Sequence, residues 1–122
     1  MEKYKLKDFA KWAAKVRLLD RDLSVIVAEM NHGLLGDRLG ACVYKKRVKI
    51  NGRGKRGGAR TIILFKDKEV ILFLYGYLKN EQSDLSKNEE LQLRIFARDF
   101  LKLSAANRKA LERDGKLIII AE

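Results

Sequence analysis

The sequence predicts an α+β fold, with helices packed on a small, mainly antiparallel sheet. Three observations carry this. Apolar residues at helical spacing occupy both ends of the chain. Two nearly continuous β-prone runs, RTIILFK and EVILFLYGY, lie in the middle. Turn and capping signals separate these segments. Taken in order, Tyr4–Leu6 reads as a short strand. Phe9, Trp12, Ala13 and Val16 follow i, i+3, i+4, i+7 spacing, which predicts a helix over residues 7–18. Asp20 or Asp22 can cap a second helix with Leu23, Ile26, Val27 and Met30 inward, ended by Gly33 after His32. The two together predict an N-terminal helical hairpin, with Phe9 and Trp12 in its core. Residues 36–40 are expected to turn, and residues 41–50 to form a strand. In that strand Lys45, Arg47 and Lys49 share one face, while Lys46 interrupts the other. Residues 60–66 and 69–77 are the next strands, around a tight turn at Asp67-Lys68. Ser86 with Glu89 three residues later marks a helix start. That helix runs to about Leu103, with Leu91, Ile95, Phe96, Phe100 and Leu103 as inward candidates. Ser104 opens a short helix ended by Gly115, and residues 117–120 form a last strand.

With 122 residues, a single domain over residues 1–122 is expected. A hydrophobic fraction of 47% suits a packed globule rather than a disordered chain. No apolar run is long enough to span a membrane, and the opening lacks the apolar core of a signal peptide, so a cytoplasmic protein with no membrane partner is expected. The lone Cys42 cannot make an internal disulfide. Charge is the distinctive property: 27 Lys and Arg against 16 Asp and Glu give a net charge of +11. Of this, 8 units fall in residues 45–60, KKRVKINGRGKRGGAR, which contain no acid. The remainder is nearly neutral. A mid-chain basic strip with Gly52, Gly54, Gly57 and Gly58 favours a polyanion, because glycine lets the backbone approach phosphate closely. The bland alternative is a solvated loop. The strip is not a Walker loop, since GxxxxGK[ST] is absent.

The segment GRGKRGGARTIILF, followed by FLYGYLKNEQSDLS, resembles the RelE/HigB class of toxins from bacterial type II toxin–antitoxin systems, in the RelE/ParE superfamily. One RelE-like group shares a Gly-x-Gly-Lys-x-Gly-Gly-x-Arg element, then a strand, then Tyr-Gly-x-x-Lys-Asn-Glu. Gly52, Gly54, Lys55, Gly57, Gly58 and Arg60 match the first, and Tyr75, Gly76, Lys79, Asn80 and Glu81 the second. The resemblance implies a small twisted antiparallel sheet with the helical hairpin on one side and C-terminal helices after it. It also implies a toxin that inhibits translation as a ribosome-dependent mRNA endonuclease (an mRNA interferase). The partners implied are the ribosome, messenger RNA and a cognate antitoxin, encoded by a neighbouring gene and carrying a helix-turn-helix domain. Other members of the superfamily poison DNA gyrase, so a ParE-like gyrase inhibitor is one alternative. A non-enzymatic basic nucleic-acid-binding protein is another.

Metal-free RNA cleavage turns the 2′-hydroxyl on the adjacent phosphate. It needs a base, an acid and positive charge at the phosphorane. The only histidine, His32, lies far from the strip in sequence and reads as a helix-end residue. No Asp, Glu, His or Cys set has metal-ligand spacing, so no metal or other cofactor is expected. Lys, Arg and Tyr remain. Arg60 offers a fixed charge for the phosphate. Lys55, crowded by cations, can act as base or acid. Tyr75 and Tyr77 share strand parity and could stack on a base, donate a proton or only fill the core edge. Arg60, Lys55, Tyr77 and Tyr75 are thus the catalytic candidates. Lys45, Lys46, Arg47, Lys49, Arg53, Arg56, Lys79 and Asn80 are the RNA-binding candidates. Glu81 and Asp84 read as residues that shape the loop before the helix.

Overall fold

The computed structural model describes residues 1–50 and 58–121. The elements are β1 (Glu2–Leu6), α1 (Lys7–Val16), α2 (Asp20–Asn31), β2 (Asp37–Gly40), β3 (Val43–Val48), β4 (Ala59–Lys66), β5 (Val70–Leu78), α3 (Lys87–Leu101), α4 (Ala105–Arg113) and β6 (Leu117–Ile119). The α+β class holds. The strands form a six-stranded sheet in the order β2-β3-β4-β5-β1-β6. Every pairing is antiparallel except β1 with β5.

Strand parity divides the apolar residues of the sheet between two cores. Ile63, Phe65, Ile71 and Phe73 point to one face, where they meet Phe9 and Ala13 of α1 and Leu23, Ile26 and Val27 of α2. Ile62, Leu64, Leu72 and Leu74 point to the other, where they meet Ala97 and Phe100 of α3. Burial on both faces explains why β4 and β5 read as continuous apolar runs rather than alternating ones. A bulge in β5 accommodates Leu74: Ile63 pairs with Phe73, but Ile62 pairs with Tyr75.

Several expectations are corrected. Residues 37–40, expected as a turn, are strand β2, paired to β3. The hairpin turn is Ala41-Cys42, both with positive φ (52° and 64°). Such turns normally announce themselves by Asn-Gly or Asp-Gly, so this one carried no sequence signal. The α2 N-cap is Leu19, not Asp20 or Asp22. Asp22 instead accepts the Leu19 backbone N–H at 2.8 Å. Asp20 accepts from Lys5 Nζ (2.6 Å) and the Ala121 N–H (2.8 Å), joining α2 to β1 and the end of β6. Leu91, Ile95 and Phe96 are exposed by 45%, 41% and 40%, while Leu93, Ala97, Phe100 and Leu101 face the sheet. Two overlapping stripes were available on α3, and the one with the small Ala97 lies against the strands. The Ser86–Glu89 capping box forms as expected, at 3.0 and 2.8 Å.

Trp12 was expected in the core of a hairpin. It packs, partly buried, against the cluster shared by α1, α2 and the sheet, and its ring lies over β5, filling the space where a Gly76 side chain would stand. Phe9 links it to the sheet, with ring centroids 5.5 Å from Trp12 and 5.4 Å from Phe73.

Candidate nucleic-acid interface

Antiparallel register aligns the polar candidates in rows across three strands. Arg47 on β3 pairs with Arg60 on β4, and Arg60 pairs with Tyr77 on β5. One row along, Lys45 pairs with Ile62, and Ile62 with Tyr75. Because side chains alternate, Arg47, Arg60, Tyr77, Lys45 and Tyr75 all project from the α3 side of the sheet. Adjacent strands are about 4.8 Å apart, so each row spans about 10 Å.

The first row is electrostatically unusual. Like charges directly opposite each other on a sheet are destabilising. Yet among the described residues neither Arg47 nor Arg60 has an ion-paired acid. Arg60 Nη1 reaches only its neighbour's carbonyl, Ala59 O, at 3.4 Å. Among the described residues the two guanidiniums therefore lack an acidic partner of the kind an anion would supply, and guanidinium is suited to phosphate.

Lys45 is different. Its ammonium lies 3.2 Å from Asp84 and 3.9 Å from Asp37. It is already countered, and a phosphate would have to share it. Lys46 sits on the opposite face, where it ion-pairs with Glu29 (3.1 Å) and donates to Leu34 O (2.8 Å). It is not brought together with the others. Lys49 is exposed just beyond β3, on the parity of Arg47. Lys79 and Asn80 are exposed where β5 ends, with the Lys79 N–H bonded to Gly58 O at 3.2 Å. Arg53, Lys55 and Arg56, with Gly52, Gly54 and Gly57, lie outside the described residues. His32 bonds through Nδ1 to Ala28 O (2.7 Å), a contact within its own helix end.

The tyrosines differ in exposure. Tyr77 is 4% exposed and Tyr75 half-buried, their rings 6.1 Å apart. Burial is the main force on the Tyr77 hydroxyl and Asp84 adds to it; Arg60 pulls the other way, and the net result is a pKa pushed up to about 12. The Tyr75 pKa is also raised, by burial and then by Glu89. At neutral pH both are therefore protonated: they can donate a proton but cannot accept one. A raised pKa means that the folded form favours the protonated phenol. The stability this gives is complete below the ordinary value of 10 and is lost as pH rises towards about 12. Urea midpoints measured across that window should fall faster for the parent than for Tyr77→Phe.

Sequence reasoning missed Asp84 and Gln82 as parts of this face. Asp84 Oδ1 accepts from Tyr77 (3.4 Å) and Lys45, and Gln82 Oε1 accepts from Tyr75 (2.9 Å). The only available signal was spacing, since each acceptor stands seven residues after its tyrosine. Among the described residues no His, Cys, Asp and Glu set could hold a metal ion, and no helix is long and apolar enough to cross a membrane. Compared with known families, residues 1–120 match the family model described as the RelE toxin of the RelE / RelB toxin–antitoxin system.

Proposed function

The chain belongs to the RelE toxin family of toxin–antitoxin systems, and on that premise we propose that it is a ribosome-dependent endoribonuclease that cuts messenger RNA during translation. The observation that carries this reading is the row Arg47–Arg60–Tyr77, two opposed guanidiniums without an acidic partner among the described residues, beside a protonated phenol. The fold's N-terminal helices and single compact unit are, in this reading, the scaffold for that row.

Cleavage proceeds by attack of the message's own 2′-oxygen on the adjacent phosphorus. The P–O5′ bond breaks, leaving a 2′,3′-cyclic phosphate and a 5′-hydroxyl. Arg60, with Arg47 beside it, carries the charge of the phosphorane, where preorganised cations count most. Lys55 and Tyr77 share the two proton transfers, and Tyr77 is limited to donation by its raised pKa. Tyr75 offers its half-exposed ring to a base. Lys49 and Lys79 extend the cationic surface toward ribosomal RNA, with the neutral amide of Asn80 next to Lys79 in the chain, and Arg53 and Arg56 are assigned to RNA binding from the sequence alone. No metal or cofactor enters this scheme.

Purified protein added to a translation reaction should produce discrete primer-extension stops on the message, only when ribosomes are present. Intact message would count against the reading. DNA breaks without message cleavage would favour the gyrase-directed alternative. Tyr77→Phe should slow cleavage by on the order of 10²-fold, the range of one lost acid–base group. Tyr75→Ala should weaken message engagement by about 1–3 kcal/mol through lost stacking. The antitoxin, carrying a helix-turn-helix domain, covers the face around Arg60. A complex that leaves Arg47 and Arg60 open would contradict that part.

A further inference from the structure

The segment between β5 and α3 closes back onto the two tyrosines. Tyr75 donates to Gln82 Oε1 at 2.9 Å, and Tyr77 donates to Asp84 Oδ1 at 3.4 Å. Both acceptors are themselves held. Gln82 Nε2 donates to the Asp84 carbonyl (3.0 Å) and to Glu89 Oε1 (3.1 Å). Glu89 in turn accepts the Ser86 N–H at 2.8 Å, which roots the segment in the first turn of α3. Asp84 Oδ1 also accepts from the Leu85 N–H at 2.8 Å and from Lys45 Nζ at 3.2 Å.

One oxygen thus gathers a cation from β3, a phenol from β5 and the loop's own backbone. The charged and titratable groups around it come from every packed element: Asp37 on β2 behind Lys45, Lys45 on β3, Arg60 on β4, Tyr75 and Tyr77 on β5, and Glu89 on α3. A loop that only joined a strand to a helix would have no need to aim two acceptors at hydroxyls on the cationic face.

We infer that Asp84, supported by Gln82, is a positioning residue for RNA cleavage, whose Oδ1 sets the Tyr77 hydroxyl and the Lys45 ammonium in fixed relation to Arg60. The inference rests on the endonuclease reading. It assigns the work to a hydrogen-bond acceptor rather than to the negative charge, so asparagine, which keeps an Oδ1, should do most of it. Alanine keeps neither.

The test compares Asp84→Ala and Asp84→Asn in two assays. In ribosome-dependent cleavage at saturating protein, Asp84→Ala should lose on the order of 10²-fold in rate, as for a reacting group displaced by about 1 Å. The concentration giving half-maximal rate should move much less, and Asp84→Asn should recover the rate to within about threefold. In alkaline titration by phenolate absorbance, with the Tyr77 step identified by its loss in Tyr77→Phe, both variants should bring Tyr77 down from about 12, because both remove the carboxylate charge beside it. If Asp84→Ala fails to fold, Asp84→Glu replaces it; one added methylene displaces the acceptor, and the same loss of rate is expected. Alanine cleaving at the parental rate, asparagine failing to recover it, or an unmoved tyrosine titration would each overturn the inference. Parental protein and Arg60→Ala run alongside separate the two claims. A parent that does not cleave sinks the endonuclease reading and this inference with it, whereas an Arg60→Ala protein that cleaves at the parental rate removes Arg60 from the site and overturns the inference alone. A cleaving parent with an indifferent Asp84 sinks only the inference.

Discussion

Arg60→Ala is expected to reduce message cleavage on the ribosome by on the order of 10²–10³-fold, the cost of removing one preorganised charge from a transition state. The fold should survive. Arg60 is only partly buried, makes no ion pair among the described residues, and stands opposite another cation whose repulsion its removal relieves. Thermal stability should therefore stay level or rise slightly while activity collapses, a combination that a structural role would not produce. Arg60→Lys should recover only part of the rate, because an ammonium lacks the two-pronged geometry of guanidinium. The same variant has an independent signature. Arg60 lowers the Tyr77 pKa, so its loss should push that phenol's titration higher still. Cleavage at the parental rate would remove Arg60 from the site.

Gly76→Ala is expected to destabilise the protein by about 3 kcal/mol, the upper end of overpacking costs. For a chain of this size that lowers Tm by about 10 °C or more. The Cβ would enter the Trp12 ring, and neither partner can yield easily: Gly76 is buried within β5, and Trp12 is braced by Phe9 against Phe73. In a Trp12→Leu background the penalty should shrink to below about 1 kcal/mol, a coupling that a double-mutant cycle reads directly. Equal penalties in both backgrounds would show that the ring is not the obstacle. This gives the glycine of the Tyr-Gly pair a physical role: Tyr75 and Tyr77 face the cationic side, and the residue between them must leave room for a helix on the other.

What could be read from the sequence follows from which physics is local. Period-two alternation put Lys45, Arg47 and Lys49 on one face of their strand and gave Tyr75 and Tyr77 a shared parity, but the register that aligns them with Arg60 joins three strands and is not local. The capping box at Ser86 is a three-residue pattern and was visible. Strand β2 was not, because its turn uses Ala41 and Cys42 where glycine or asparagine is usual. The α3 face was misjudged because large apolar residues outweighed Ala97, and only the depth of the sheet surface decides between them. Asp84 was read as a loop-shaping residue, and its Leu85 contact is of that kind. Its bonds to Lys45 and Tyr77 join positions 39 and 7 residues away, which no local pattern reports.

The central claim is that this cationic sheet face cuts translated message by metal-free attack of the 2′-hydroxyl. Mapping the ends of message recovered from translating ribosomes tests it most directly. The account predicts breaks that appear only with ribosomes and active protein, bearing a 5′-hydroxyl on one fragment and a 2′,3′-cyclic phosphate on the other. Uncut message, or fragments bearing 5′-phosphates, would contradict it.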